Sequence, residues 1–372
     1  MVVAPGDVKM SIATGDLARC RAALSRIFSD PESGRTRAVV FGLGSFGDAI
    51  QITPLLAALR QRFTGARLIL VHPSGLAPEL FEHWADLDDV VVAPSSGFPW
   101  MRSELLRAAG ADLIVKCRYV VEYHLPESSR LGEQDRQFVQ SAQLAQQPWL
   151  PLVADFPFDN DRLWRLAAQR GMNMYSLMAA TGGFAGSDFE NLSTALVAED
   201  YALHRELPEK YFVVCNSAEA LTIGRTVWTK ALPAAKMSRI VAKLKRFQVP
   251  SVLLGSKDDP MIDGVDIDWR GRSSLRQAAA ILKGARCLLG PEGGLVNLAR
   301  AVGTRSVVFF GSTPPEFFAF RENTNISPEF CGGCWWTTPS YLYQCPRLLL
   351  QPECTRSIPE DDVVQAVRRL LS

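Results

Sequence analysis

The stretch Ala38-Val39-Val40-Phe41-Gly42-Leu43-Gly44-Ser45-Phe46-Gly47-Asp48 decides the fold of this chain. Its first four residues form a continuous apolar run, which is typical of a parallel strand buried on both faces. The glycines that follow have the spacing Gly-x-Gly-x-x-Gly, and a helical apolar pattern comes next. The apolar face of that helix consists of Ile52, Leu55, Leu56, Leu59 and Phe63. Strand, glycine loop and helix in this order predict the opening of a Rossmann-like domain.

The same alternation recurs along the chain and predicts two Rossmann-like domains in tandem. Further strands are predicted at 68–71, 90–92, 113–115, 211–215, 251–255, 287–289 and 306–310. Helices are predicted at 17–28, 161–170, 175–181, 234–247, 275–283, 294–302 and 359–371. Ser357 is a candidate cap for the last helix, whose first turn is acidic. The predicted units are an N-terminal helical extension (1–36), a first domain (37–206), a second domain (207–325), a Cys-rich finger (326–357) and a C-terminal helix (358–372).

Composition excludes several functional classes. The 372 residues include 40 Lys+Arg and 39 Asp+Glu, and this balance argues against a nucleic-acid binder. The apolar fraction of 47% is that of a globular protein rather than a disordered one. No window reaches the roughly 18 apolar residues of a membrane span, and the first residues lack a signal-peptide pattern. We therefore expect a soluble, cytoplasmic protein with no transmembrane segment.

The glycine loop by itself leaves two chemistries open. In an NAD-dependent oxidoreductase the second strand would end in a carboxylate for the ribose, whereas here it ends Val71-His72-Pro73-Ser74. The acidic residue stands instead directly after the third glycine, as Asp48. A carboxylate there would repel a pyrophosphate on the helix N-terminus but would suit a hydroxyl that must lose its proton. A simple helix-capping role for Asp48 also remains open.

Four segments carry a family resemblance. They are Gly44–Arg60, with its Gly-Asp and Thr-Pro pairs; Arg272–Gln277; Leu289–Thr304; and Phe310–Pro314. In this order and spacing they resemble the motifs of glycosyltransferase family 9, the ADP-heptose heptosyltransferases. The resemblance implies an α/β GT-B fold, in which two Rossmann-like domains face a cleft. It also implies a nucleotide-sugar donor in the second domain, an acceptor in the first, inversion at the anomeric carbon, and neither an organic cofactor nor a catalytic divalent metal.

The resemblance and the chemistry of inverting transfer together suggest the site residues. Asp48 is the candidate catalytic base, at the end of an acceptor loop formed by Gly44, Ser45, Phe46 and Gly47. The leaving diphosphate needs backbone N–H groups, hydroxyls and cations. The donor-binding candidates are Arg225, Lys230, Glu292, Gly293, Gly294, Asn297, Ser312 and Thr313.

Several of these positions keep a second interpretation or depart from the family. Arg225 and Lys230 could instead be solvated surface charges. Glu292 stands where the family usually has Asp, and Asn297 stands where it usually has His. Asn297 can form a hydrogen bond but cannot carry a proton, and it could also be a surface polar residue of the helix. These departures bear on which sugar is transferred.

The cysteines divide into two groups. One group is scattered along the chain and is predicted to consist of small buried hydrophobic residues: Cys20, Cys117, Cys215 and Cys287. Four others fall within 24 residues and could supply four thiolates to a structural iron or zinc ion: Cys331, Cys334, Cys345 and Cys354. The alternative is that they are unliganded or disulfide-paired. Four aromatic residues lie among them, either over apolar core or at a protein contact: Trp335, Trp336, Tyr341 and Tyr343.

The Cys-rich segment extends the resemblance to a subset of the family. It is similar to the four-Cys iron finger of the autotransporter heptosyltransferases, which form large oligomers and glycosylate Ser hydroxyls of bacterial surface proteins. This implies a homo-oligomer with a protein acceptor. Transfer to lipopolysaccharide core or to a small metabolite is the alternative within the same fold. A non-catalytic scaffold that binds nucleotide sugars is the alternative from another class.

Overall fold

A computed structural model of the protein describes residues 34–42, 44–92, 110–153, 161–216, 229–338, 340–341 and 344–372. Within these residues the chain forms two separate sheets, one of five strands and one of six. The predicted N-terminal helix, Cys20, Arg225 and Tyr343 lie outside the described residues. The two sheets confirm the predicted α/β class, with one Rossmann-like unit in each half of the chain.

The first sheet has the strand order β3-β2-β1-β4-β5. Its strands are β1 (Arg37–Phe41), β2 (Arg67–His72), β3 (Asp89–Val92), β4 (Leu113–Cys117) and β5 (Val121–His124). All pairings are parallel except that of β4 with β5. The side chains of Val39 and Val40 in the central strand are fully buried, as the unbroken apolar run predicts.

Seven α-helices accompany this first sheet among the described residues. They are α1 (Phe46–Gln51), α2 (Thr53–Arg62), α3 (Ala77–Phe81), α4 (Glu133–Gln146), α5 (Leu150–Val153), α6 (Arg162–Gln169) and α7 (Met174–Thr181). The single helix predicted after the glycine loop is divided at Ile52. Pro54 has no N–H to donate to the Ile50 carbonyl, and that carbonyl accepts a hydrogen bond from the Thr53 hydroxyl instead, at 2.8 Å.

The second sheet is parallel throughout and has the order β11-β10-β9-β6-β7-β8. Its strands are β6 (Phe212–Val214), β7 (Ser251–Leu253), β8 (Ile267–Asp268), β9 (Leu288–Pro291), β10 (Ser306–Phe309) and β11 (Thr324–Ile326). Its helices are α8 (Ala234–Leu244), α9 (Leu275–Gly284), α10 (Gly294–Ala301), α11 (Pro315–Phe318), α12 (Glu353–Arg356) and α13 (Glu360–Leu371). Numbered within the domain, the strand order is 3-2-1-4-5-6, that of the dinucleotide-binding fold.

Three edge strands escaped the sequence analysis, as did one long helix and four helices of four or five residues, α3, α5, α11 and α12. Strand β5 carries charged and apolar residues on opposite faces, and β8 and β11 have only two and three residues. Helix α4 is rich in Gln and buries only three side chains. The predicted cap of the last helix is wrong: α13 begins after Pro359, and the Ser357 hydroxyl instead exchanges hydrogen bonds with the Phe330 backbone.

The two halves meet at the carboxyl ends of their central strands. One apolar cluster contains residues of both sheets, and helix α1 of the first half packs against α10 of the second. In open parallel sheets, ligands bind beyond the carboxyl ends of the strands. The described residues that follow β1, β6, β9 and β10 are therefore where a site can form. No helix within the described residues is long and apolar enough to cross a membrane.

Candidate active site

The loop after β1 places the Asp48 carboxylate at the start of a helix. Asp48 is half-buried, and its Oδ2 accepts hydrogen bonds from the Ser45 N–H at 2.7 Å and from the Ser45 hydroxyl at 3.1 Å. The carboxylate folds back over Gly44, which has a φ of 84° and no room for a side chain on that side. The capping role left open by the sequence is therefore present. It holds the carboxylate in one place at the start of α1.

The glycine loops of the two halves touch each other. A Cβ added at Gly47 would lie 2.7 Å from the Gly294 Cα, and one added at Gly294 would lie 2.5 Å from the Phe46 ring. The Asn297 amide Nδ2 donates to the Gly47 carbonyl at 3.2 Å. Asn297 is only 4% exposed, so the alternative of a surface polar residue is wrong. These contacts bring the predicted acceptor loop and the predicted donor helix together.

Lys230 and Glu292 form an ion pair beyond the carboxyl ends of the central strands of the second sheet. The Lys230 Nζ lies 2.7 Å from Glu292 Oε2 and 4.2 Å from the centre of the Trp335 ring. The side chains of Lys230 and Glu292 are 19% and 8% exposed. The alternative of a solvated surface charge is therefore wrong for Lys230. Two of the predicted donor residues are thus in direct contact, and the third partner, Trp335, comes from the Cys-rich segment.

Ser312 and Thr313 follow β10 and complete this corner of the site. Their hydroxyl oxygens are buried and, among the described residues, have no hydrogen-bond partner. A Cβ added at Gly311 would lie 3.5 Å from the Lys230 Cα, and the Ser312 N–H donates to the Thr229 carbonyl at 3.1 Å. Buried hydroxyls normally have partners. These two are therefore suited to a ligand that brings its own acceptor atoms.

Tyr175 of α7 is a buried polar residue near this site that sequence analysis missed. Its ring stacks on Phe320, with 4.8 Å between the ring centres. Burial raises the pKa of Tyr175 well above its ordinary value, and the negative charges of Glu292, Glu190 and Asp48 raise it further. Tyr175 therefore stays a neutral phenol near both carboxylates of the site. Its apolar helix offers no local signal of such a position.

The clustered cysteines lie near one another in the second half of the molecule. Burial raises the pKa of the Cys334 thiol to about 11 and that of Cys354 to about 12, and the charges of neighbouring cysteines, Cys331 and Cys345 among them, contribute to both shifts. The turn at 331–333 has three successive residues with positive φ, and two of these are the glycines predicted to let the backbone wrap closely.

The thiols are free, and their arrangement is not that of a finished metal site. None of the seven described cysteines forms a disulfide, so pairing of the clustered cysteines is not seen. No group of three or more His, Cys, Asp or Glu side chains among the described residues is arranged to hold a metal ion. Four neighbouring thiols are nevertheless a suitable donor set for iron or zinc. The predicted metal therefore stays a prediction. The scattered Cys117, Cys215 and Cys287 are buried hydrophobes, as predicted.

Comparison with known proteins agrees with this architecture. Residues 151–334, from helix α5 of the first half to Cys334, match the family model "Glycosyltransferase family 9 (heptosyltransferase)". No curated protein matches the chain in sequence. A family 9 glycosyl transferase of Veillonella parvula is similar in structure, with 18% identity, a TM-score of 0.57, and coverage of 90% of this chain and 97% of the other. ADP-heptose LPS heptosyltransferase II of E. coli is 14% identical with a TM-score of 0.57, covering 90% and 98%.

A third similar structure is that of an iron-containing protein. It is TibC of enterotoxigenic E. coli, described as an iron-containing dodecameric glycosyltransferase. Its identity to this chain is 16%, its TM-score is 0.59, and the match covers 90% of this chain and 78% of TibC. TibC has also been solved in complex with ADP-D-β-D-heptose. At these identities the structural likeness establishes the fold, which is that of the GT-B glycosyltransferases.

Proposed function

We propose that this chain transfers heptose from ADP-heptose to an acceptor hydroxyl with inversion. It carries a glycosyltransferase family 9 domain on a GT-B fold and is a glycosyltransferase. The observation that carries this proposal is the contact of Gly47 with Gly294 and Asn297. This contact brings the Asp48 loop of one half to the helix that begins at Gly294 in the other.

The second half supplies groups suited to a nucleotide diphosphate. The N-terminus of α10, at Gly294, offers backbone N–H groups and the positive end of a helix dipole. Lys230 provides a cation, and the hydroxyls of Ser312 and Thr313 provide donors that have no partner among the described residues. Glu292 provides a carboxylate for a sugar hydroxyl. We propose that these residues, with Arg225 and Gly293, bind the donor and stabilise the diphosphate as it leaves.

The first half supplies the base. We propose that Asp48 removes the proton of the acceptor hydroxyl as its oxygen bonds to the anomeric carbon and the bond from that carbon to the diphosphate oxygen breaks. The acceptor loop would consist of Gly44, Ser45, Phe46 and Gly47. Ser45 holds the carboxylate in place through two hydrogen bonds to Oδ2.

The Asp48→Asn variant tests this assignment. We expect transfer from ADP-heptose to fall by about 100-fold or more, since general-base catalysis contributes about 10²–10⁴-fold. Binding of ADP, measured by titration calorimetry, should change little. Asp258→Asn, at an exposed position, is the matched control and should transfer like the wild type. Transfer by Asp48→Asn above a few per cent of the wild-type rate would show that Asp48 is not the base.

Titration with ADP, UDP and NAD separates the proposal from its rivals. A scaffold would bind a nucleotide sugar without consuming it, and an oxidoreductase would bind NAD tightly and ADP weakly.

We propose a protein Ser hydroxyl as the acceptor, because the Cys-rich segment resembles the iron finger of protein-modifying family members. The intact mass of candidate proteins and of lipopolysaccharide core fragments after incubation with ADP-heptose distinguishes the two acceptor classes.

We also propose that Cys331, Cys334, Cys345 and Cys354 hold a structural iron or zinc ion. Four thiolates would close a tetrahedral site, and such an ion would stabilise the Cys-rich segment. Free thiols favour a reducing compartment such as the cytoplasm, and the dodecameric TibC suggests a homo-oligomer. Elemental analysis of the purified protein should find about one metal ion per chain and much less in Cys345→Ser. Equal metal content in both proteins would contradict the proposed metal site. Light scattering of the wild-type protein tests the proposed homo-oligomer.

A further inference from the structure

We infer that Trp335 is a positioning residue for the donor diphosphate: its indole face holds the Lys230 ammonium at the donor site. This inference rests on the proposed function, because it assigns a role within the same site. Trp335 belongs to the Cys-rich segment and not to any of the four segments that carry the family resemblance. It therefore connects that segment directly to the chemistry of transfer.

The ammonium of Lys230 has two partners of different character. One is the Glu292 carboxylate, 2.7 Å away, and the other is the face of Trp335, 4.2 Å from the ring centre. A diphosphate that binds Lys230 competes with the carboxylate for the same positive charge. The aromatic face attracts the cation without neutralising it. Trp335 can therefore keep Lys230 in place when Glu292 turns to a sugar hydroxyl.

Trp335 is itself fixed at both ends of its backbone. Its N–H donates to the Ser312 carbonyl at 2.9 Å, and its carbonyl accepts a hydrogen bond from the Trp164 indole N–H at 3.3 Å. The Gly333 N–H also reaches the Gly311 carbonyl, at 3.3 Å. The strand-like contact of residues 333–335 with 311–312 thus attaches the Cys-rich segment to the loop that carries the unpartnered hydroxyls.

The indole plane of Trp335 is held as firmly as its backbone. The ring of Tyr341 packs edge-on against it, with 4.6 Å between centres and 77° between planes. Phe318 packs on it at 6.5 Å, and Trp335 is only 6% exposed. This packing holds the indole ring in one orientation relative to the Lys230 ammonium. Lys230, which by itself is a flexible side chain, gains a fixed direction from it.

The first experiment compares Trp335→Leu, Trp335→Phe and wild type in transfer from ADP-heptose. We expect Trp335→Leu to raise the KM for the donor about tenfold, since a desolvated cation–π contact is worth about that factor. The KM for the acceptor should not change. Trp335→Phe keeps an aromatic face and should stay within about threefold of wild type. The matched control is Trp269→Leu, which removes a buried tryptophan 4.9 Å from the Arg272 guanidinium in the same half and should leave the donor KM unchanged.

The second experiment is a double-mutant cycle with Lys230→Met. If Trp335 acts through Lys230, Trp335→Leu should add almost nothing to the donor KM of Lys230→Met. Additive effects, or equal rises in the donor and acceptor KM, would overturn the inference. If Trp335→Leu does not fold, as judged by its melting temperature, Trp335→Met replaces it, because Met fills the space without an aromatic face. Wild-type protein that neither binds nor consumes ADP-heptose would refute the proposed function. If the wild type is active and the Trp335 variants have the same donor KM as the wild type, only this inference is refuted.

Discussion

The Gly47→Ala variant asks whether direct contact between the two glycine loops assembles the site. The added Cβ would lie 2.7 Å from the Gly294 Cα, whereas carbon atoms in contact are normally about 3.5–4.0 Å apart. Because the atom that it meets is backbone, no side chain can turn away to make room. The loops must therefore separate by about 1 Å. The hydrogen bond from Asn297 to the Gly47 carbonyl would lengthen with them.

The structure sets the expected size of both effects. Overpacking of this kind costs about 1–3 kcal/mol, and the better helix propensity of Ala in α1 offsets up to about 1 kcal/mol of that. We therefore expect the free energy of unfolding to fall by about 1–2 kcal/mol. A displacement of about 1 Å between reacting groups can lower the rate about 100-fold. The kcat/KM for transfer should thus fall much more than stability does.

Urea unfolding and steady-state transfer kinetics measure the two quantities on the same preparation. Gly65→Ala is the matched control, because nothing lies within 4 Å of a Cβ at that position and its φ needs no glycine. It should unfold and react like the wild type. If Gly47→Ala is as active and as stable as Gly65→Ala, then the two loops are not in contact in the working enzyme, and our account of how the site is assembled is wrong.

Two further predictions concern charged residues that the proposed mechanism does not use. The Arg276 guanidinium donates to both carboxylate oxygens of Asp200, at 2.9 and 2.5 Å, and both residues are buried. Arg276→Met should therefore lower the free energy of unfolding in urea by about 3–5 kcal/mol, and the added change Asp200→Asn should recover part of it; no recovery would contradict the ion-pair explanation. Although burial raises the pKa of Glu122, the hydrogen bond from His124 and neighbouring cations bring it down to about 2. The stability that this carboxylate contributes is then present above its ordinary pKa near 4.5 and lost as the pH falls toward 2. In Glu122→Gln the loss of stability between pH 5 and pH 2 should be smaller by about 1–2 kcal/mol, allowing for its partial exposure, and an unchanged pH profile would refute this.

Most of the strands that could be predicted have apolar runs that are buried on both faces; β3, at an edge of the first sheet, is the exception. β1, β2, β4, β6, β9 and β10 are central strands of this kind, and each was predicted to within a few residues. The missed β5, β8 and β11 lie at or next to sheet edges, where pairing with a neighbour rather than composition creates the strand. Helix α4 was missed because its exposed faces are covered with polar residues, which weakens the apolar pattern.

The same division applies to the site. Asp48 and the glycine loop could be proposed as site residues from the sequence, because a turn, a helix start and a carboxylate must follow one another at fixed spacing. The contacts of Lys230 with Glu292 and Trp335 could not be predicted from the sequence, because the three residues lie in distant segments of the chain. Tyr175 gave no sign of its place near both carboxylates, because a buried tyrosine looks like core until its neighbours are known.

The sequence by itself determined two α/β units, the family motifs and the residue types available for transfer, because these depend on local spacing and on apolar periodicity. Only the tertiary structure decided that Gly47 meets Gly294, that Asn297 forms a hydrogen bond with Gly47 of the other half, and that Trp335 covers Lys230. Such contacts join segments that are far apart in the chain. They depend on how the two sheets pack at their carboxyl ends, and no local pattern encodes that.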